Sequence, residues 1–264
     1  MTSEREEEEV LPHAGQLPRV AKWLGKAPRG ASSPQLFELE GGGKILVKFS
    51  QNPQGERVLA NEFICSRLAA FLEVPVPAAV LVEVPDQLLD LPRRADACPL
   101  SFVGGVHVGT FWLNDATPVP IREIETAVHR AQNAADWAAL EVFDQLVKRD
   151  DKIELLTYNA PGGQRYFASI DYGFSFGGTP NWDQSTLASI DVPFLRYDGT
   201  TQLCQQQAPI IARLSGLTTE NLREAIHHLL LPRFGMTADL AEALAQCLES
   251  RARSLVAEHA KFCR

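Results

Sequence analysis

Asp150, Asp151 and Asp171 stand in two acidic loops within one stretch, ALEVFDQLVKRDDKIELLTYNAPGGQRYFASIDYGFSFGG, residues 139–178. The first loop is Arg149-Asp150-Asp151-Lys152; the second opens at Asp171 and is bounded by glycine. Two carboxylate loops this close suit chemistry on a metal-bound phosphate, where one carboxylate orients a nucleophile and the other holds a divalent cation. The plainer alternative is that all three are turn residues, because an Asp side chain readily bonds its own backbone.

Both loops need elements to hold them. The spacing predicts a helix over residues 135–147, then the charged loop, then a hairpin whose second strand delivers Asp171. Further upstream, a hairpin is expected from residues 35–40 and 44–49 joined by Gly41, Gly42 and Gly43, with residues 11–34 read as a connecting segment. Within that segment Gly30, Ser32 and Ser33 could offer backbone N–H groups to an anion, or could form a plain turn. The Gly-Lys-Ser or Gly-Lys-Thr of a Walker loop is missing.

Lys48 ends the apolar run Ile45-Leu46-Val47 and shares a strand face with Leu46, which is expected to be covered. A charge there needs a partner unless it reaches water along its own stem. Residues 55–73 carry apolar side chains at helical spacing and predict an amphipathic helix, with Glu62 between Leu59 and Phe63. A carboxylate so close to an apolar stripe is relieved by a cation such as Lys48, or by Arg67 at the surface. A strand follows over residues 79–84, then a proline-punctuated insertion and one or two strands over residues 101–113, where His107 is read as a satisfied strand residue. Beyond Pro120 helices are expected over residues 121–132, 135–147, 204–214, 219–230 and 238–262, with residues 182–202 irregular.

Composition narrows the class. With 264 residues, 45% hydrophobic and 22% charged, the chain supports one large domain or two lobes. A formal charge of −8, about half of it from Glu4 and Glu6 to Glu9, disfavours direct nucleic-acid binding. Neither a spanning segment nor a signal peptide is visible, so a cytoplasmic protein without membrane contact is expected. Five scattered cysteines argue for reduced thiols, and their spacing suggests no zinc site.

A glycine and serine turn, a strand lysine, a helix glutamate and two acidic loops, in that order, resemble the parts of protein-kinase-like phosphotransferases. More narrowly, GASSP, KILVKF, VLANEFICSRLAAFLEVPVPA, FDQLVKRDDK and RYFASIDYGFSF resemble the HipA-like kinase family. The resemblance implies an α+β, bilobal protein-kinase-like fold with a β-rich N-lobe over residues 20–118 and a mainly helical C-lobe over 119–264; the glutamate run before it reads as an acidic disordered leader at 1–19. It implies ATP and Mg²⁺ as cofactors and transfer of the γ-phosphoryl group to a hydroxyl, with a protein Ser or Thr as substrate and a regulatory protein as a further partner. Gly30, Ser32 and Ser33 would cover the phosphates, Lys48 would contact them with Glu62 as its ion-pair partner, Asp151 would be the catalytic base and Asp171 the metal ligand.

The chain also departs from the family pattern. Arg149 replaces the Asn before the catalytic Asp, Lys152 replaces the Arg or His after it, and Leu156 stands where a metal-binding Asn is usual. Glu154 or Asn159 is the expected substitute ligand if the loop is shortened. Arg149 could also draw Asp151 into a salt bridge. These departures keep open a pseudokinase that binds nucleotide or a partner without catalysis.

Overall fold

A computed structural model describes residues 17–27, 32–51, 54–55, 57–94, 99, 101–178, 181–195, 201–227 and 234–263. The chain divides into two compact units, one of residues 1–51 and 80–112, the other of residues 52–79 and 113–264.

The smaller unit is built on a five-stranded sheet. Its strands are β1 (Val20–Lys26), β2 (Gln35–Leu39), β3 (Lys44–Lys48), β4 (Ala79–Val84) and β5 (Gly105–Phe111), in the order β1-β2-β3-β5-β4. β1 pairs with β2, β2 with β3 and β3 with β5, all antiparallel. The β2–β3 turn needs its glycines, because Gly42 and Gly43 take φ of 88° and 82°. Ile45, Val47 and Phe49 point into a core with Val20, Phe37, Val82, Val84, Leu89 and Phe102, and the Phe49 and Phe102 rings stack at 4.4 Å. The opposite face of β3 is less covered than expected, since Leu46 and Lys48 are only half-buried.

β1 is a correction to the reading of residues 11–34 as a connector. Its burial runs from a buried Val20 through mostly exposed residues, so this edge strand lacks the apolar alternation that marks a strand in sequence. Its presence makes residues 27–34 the β1–β2 connection. The short helix α2 (Asp90–Arg94) lies in the proline-punctuated insertion.

The larger unit contains α1 (Val58–Leu72), α3 (Ile124–His129), α4 (Trp137–Val147), α5 (Gln184–Ser189), α6 (Thr201–Leu214), α7 (Thr219–His227) and α8 (Ala238–Phe262). A three-stranded antiparallel sheet, β6 (Thr117–Pro118), β7 (Glu154–Asn159) and β8 (Arg165–Ile170), completes it. α8 is the spine: Ala241, Leu244, Ala245, Leu248, Ala252 and Leu255 form a buried stripe, and the helix packs on α4, α5, α6 and α7. On that stripe the guanidinium of Arg251 donates to the Leu146 carbonyl at 2.8 Å, to the Asp191 carbonyl at 2.6 Å and to the Gln145 carbonyl. Two of these are last-turn carbonyls of α4, where a cation also opposes the helix dipole.

Three further expectations change. α1 is buried almost all round instead of on one stripe. Residues 182–202 include α5, closed at its start by Asp183 and Thr186 in a capping box. The thiols are not uniformly reduced: Cys204 and Cys263 form a disulfide with Cα atoms 5.5 Å apart, and Cys65 and Cys247 are free. His107 behaves as expected, its Nδ1 accepting the Ser50 N–H at 3.2 Å and its Nε2 lying 2.9 Å from the Val103 carbonyl.

Because Phe102 is fully buried against Phe49, Phe102→Ala should lower the unfolding free energy by about 3–5 kcal/mol. Phe71→Ala, at a half-exposed position, should change it by no more than about 0.5 kcal/mol. Urea denaturation of the two variants, followed by tryptophan fluorescence, checks the contrast.

Candidate active site

α4 ends where Lys148 turns into the left-handed region (φ 48°) and the Arg149 N–H returns to the Asp144 carbonyl at 3.1 Å. The charged loop follows at once, and it separates its two aspartates. Asp150 is engaged, with Lys148 Nζ at 3.1 Å from its carboxylate and Gly178 against its side chain; a Cβ at Gly178 would stand 2.4 Å from Asp150 Oδ2. Asp151 is exposed, its Oδ1 accepting the adjacent Lys152 N–H at 2.7 Å. Both carboxylates are exposed; Asp150 is held by Lys148 and Asp151 by its neighbour's backbone N–H.

The β7–β8 ladder then sets the second loop. Its register pairs Glu154 with Ile170 and Asn159 with Arg165. Glu154, exposed at the start of β7, is therefore opposite the residue that precedes Asp171. Asn159 is five residues along the same strand, roughly 16 Å away at about 3.3 Å per residue, so it is not brought to the site. Leu156 pairs with Ala168 inside the ladder. Asp171 itself takes φ of 64°, a left-handed conformation that costs a non-glycine residue on the order of 1 kcal/mol and is common where a side chain must be aimed.

Arg149 joins the two loops. Its side chain is 1% exposed, and its Nη2 donates to the carbonyls of Lys152 at 3.0 Å and Ile170 at 2.8 Å, while Nη1 donates to Ser169 Oγ at 2.9 Å. The guanidinium lies over the Tyr172 ring at 4.5 Å, and Nη1 is 3.9 Å from Asp144 Oδ1. The expected salt bridge from Arg149 to Asp151 does not form, because the guanidinium points inward, with Nη1 on Ser169 and Nη2 on two backbone carbonyls. Around it the Tyr172 hydroxyl lies 3.1 Å from Asp144 Oδ1 and 3.0 Å from Ser169 Oγ. Burial raises the Asp144 carboxyl to about 6, although Arg149 and the Tyr172 hydroxyl pull it the other way. Burial, with Asp144 nearby, also pushes Tyr172 well up.

α1 is fastened to the same turn. Asn61 Nδ2 donates to the Gly173 carbonyl at 2.7 Å, and its Oδ1 accepts from Trp182 Nε1 at 2.8 Å. Gly173 has no room for a side chain: a Cβ would meet Val58 Cγ1 at 2.8 Å and would stand 3.4 Å from Glu62 Oε1. Half-buried Glu62 thus faces the residues just after Asp171. Asn61 carried no motif in the sequence; its only signal was a polar residue among apolar ones on a helix. Arg149 was visible, but as a departure instead of a brace.

The other unit holds the remaining expected residues. Lys48 ends β3 opposite Val108 of β5. Ser32 is buried and Ser33 takes φ of 51° in the β1–β2 connection, where the Ser33 carbonyl accepts from Gln35 Nε2 at 2.9 Å. Gly30 lies outside the described residues. Among those described, no helix is long and apolar enough to cross a membrane.

This sheet-rich part followed by a helical part is the protein-kinase-like fold. Solved structures that share it with the chain include the following three. A Helicobacter pylori proinflammatory kinase, CtkA, has a TM-score of 0.57 at 12% identity, covering 89% of this chain and 92% of its own. A Golgi casein kinase with Mn/ADP bound has 0.55 at 12%, covering 94% and 74%, and a hydra Fam20 with sugar has 0.54 at 16%, covering 92% and 86%. No protein-family model and no curated protein matches the chain by sequence.

Two outcomes follow from the buried cluster. Arg149→Met should cost about 3–5 kcal/mol of stability in denaturant titration, since it leaves Asp144 and the surrounding carbonyls without their cation. The Asp144 carboxyl keeps its proton to higher pH folded (about 6) than its ordinary value of 3.8. Its stabilising contribution is therefore complete below that ordinary value and is lost as pH rises through the folded one. Measured from pH 3.5 to 7, the stability of the wild type relative to Asp144→Asn should fall by up to about 3 kcal/mol.

Proposed function

We propose that the chain is an ATP-dependent phosphotransferase of HipA-like kinase type that moves the γ-phosphoryl group of ATP to a hydroxyl, with a protein Ser or Thr as acceptor. The observation that carries the reading is the β7–β8 register, with Glu154 opposite Ile170, Asp171 next in the chain and the exposed Asp151 three residues before Glu154. The kinase-like fold supports it, as does a neighbour of that fold solved with Mn/ADP.

Asp171 and Glu154 are hard oxygen donors from neighbouring positions of the β7–β8 hairpin, a donor type that fits Mg²⁺, with water to complete its shell. Magnesium ATP, when bound, supplies an electrophilic γ-phosphorus and a leaving group whose charge the cation neutralises. Asp151 accepts the proton of the attacking hydroxyl, and its exposure leaves it open to a substrate chain. Lys48 is assigned to the phosphates and Glu62 to holding that lysine, with Ser32, Ser33 and Gly30 covering the phosphates. Arg149 acts as a positioning residue, since it holds the carbonyl beside Asp171 and the carbonyl after Asp151 on one nitrogen.

One observation favours a second reading, a nucleotide-binding pseudokinase. Leu156 takes the place of the usual metal-binding Asn and is fixed inside the β7–β8 ladder. The readings part on γ-phosphate transfer from ATP measured with Mg²⁺. The proposal expects turnover that falls roughly 10²–10⁴-fold in Asp151→Ala, with ATP-dependent thermal stabilisation retained. It also expects Asp171→Asn to lose both the turnover and the Mg²⁺ dependence of nucleotide binding. Turnover equal in the wild type and both variants would sink it. Nucleotide-dependent stabilisation with no transfer in the wild type would establish the second reading.

A further inference from the structure

The Cys204–Cys263 disulfide joins the first turn of α6 to the C-cap of α8. His259 stands one helical turn before Cys263, and its ligating nitrogen and the two sulfurs lie within 4.8 Å of one another, all on half-buried residues. His259 Nε2 is 3.2 Å from the Cys204 carbonyl, so the imidazole is already held over Cys204. An i, i+4 pair on a helix presents two ligands to one ion, and α6 supplies the third. Cysteine and histidine together are a soft and borderline donor set, suited to zinc and not to the hard-oxygen cations of the phosphate site.

We propose that, once the disulfide is reduced, Cys204, Cys263 and His259 form a Zn²⁺ site of Cys₂His type with water in the fourth position. The site and the disulfide are alternative occupants of the same place. Reduction by a phosphine breaks the S–S bond: phosphine, water and disulfide give phosphine oxide and two thiols. Binding Zn²⁺ then releases both thiol protons. Tetrahedral coordination needs the sulfurs about 3.8 Å apart, from Zn–S distances near 2.3 Å, a modest opening of the bonded pair. No spacing in the sequence signals the site, because Cys204 reaches the other two ligands only through the packing of α6 on α8.

The full-length protein decides the matter. After phosphine reduction without oxygen, Zn²⁺ titration against a chromogenic chelator should give one ion per chain, and less than a tenth of that in the oxidised protein. Zn²⁺ should raise the melting temperature of the reduced chain by roughly 5 °C at a hundredfold excess over Kd. Co²⁺ in its place should show thiolate-to-metal charge transfer. Cys204→Ser and Cys263→Ser should lose stoichiometric binding, and His259→Gln should weaken it at least tenfold, with circular dichroism of each matching the reduced wild type. Asp171→Asn should leave it intact. Reduced wild type that takes up no Zn²⁺, or binding that survives in the cysteine variants and disappears in Asp171→Asn, overturns the proposal.

Discussion

The candidate site depends on one buried guanidinium. The Arg149 side chain is 1% exposed, and burying a cation is tolerable only if its charge is met by hydrogen bonds and a counter-charge is near. Three acceptors meet its Nη1 and Nη2, leaving Nε without a partner among the described residues: the Lys152 carbonyl in the charged loop, the Ile170 carbonyl just before Asp171, and Ser169 Oγ. Asp144 supplies the opposite charge and the Tyr172 face covers the rest. Moving any of these elements would strand the cation, so the end of α4, the charged loop and the end of β8 behave as one piece.

The C-terminus of α4 lies between two such arginines. Arg251 reaches from α8 to the Gln145 and Leu146 carbonyls, while Arg149 folds back beside Asp144. Both arginines sit at the last-turn carbonyls and the negative end of the helix dipole. α8 is therefore not only the apolar spine of its unit; it also fixes the point from which the charged loop departs. On the other side, Asn61 and the missing side chain at Gly173 let α1 come to the turn after Asp171. The carboxylates owe their arrangement to a frame of buried polar groups: Arg149 through its two Nη atoms, Asp144, Tyr172 and Asn61.

Legibility in the sequence followed periodicity. The β2–β3 hairpin, β4, the β7–β8 hairpin and α8 were visible because alternating or helical apolar spacing records which face is buried. β1 was not, because an edge strand with one buried residue at its start leaves no alternation. α5 was passed over although Asp183 and Thr186 carry its cap, because so short a helix has too few apolar positions to show a stripe. The resemblance to a kinase motif picked out Asp151 and Asp171, yet the same motif made Arg149 look like a defect. A motif records residue types; it does not record which way a side chain points.

By itself, the sequence determined most of the strands and helices, though not β1 or α5, and the two acidic loops and their separation, since these rest on local propensity and short-range pattern. Tertiary structure decided that Asp150 pairs with Lys148 while Asp151 accepts its neighbour's N–H, that Glu154 and not Asn159 lies opposite the residue before Asp171, and that Arg149 braces the loops. It also decided that Cys204, 59 residues before Cys263, meets it at the end of α8. Each of these outcomes depends on ladder register, helix packing or the partner found by a buried charge. Those are contacts between residues far apart in the chain, and no local window of sequence contains them.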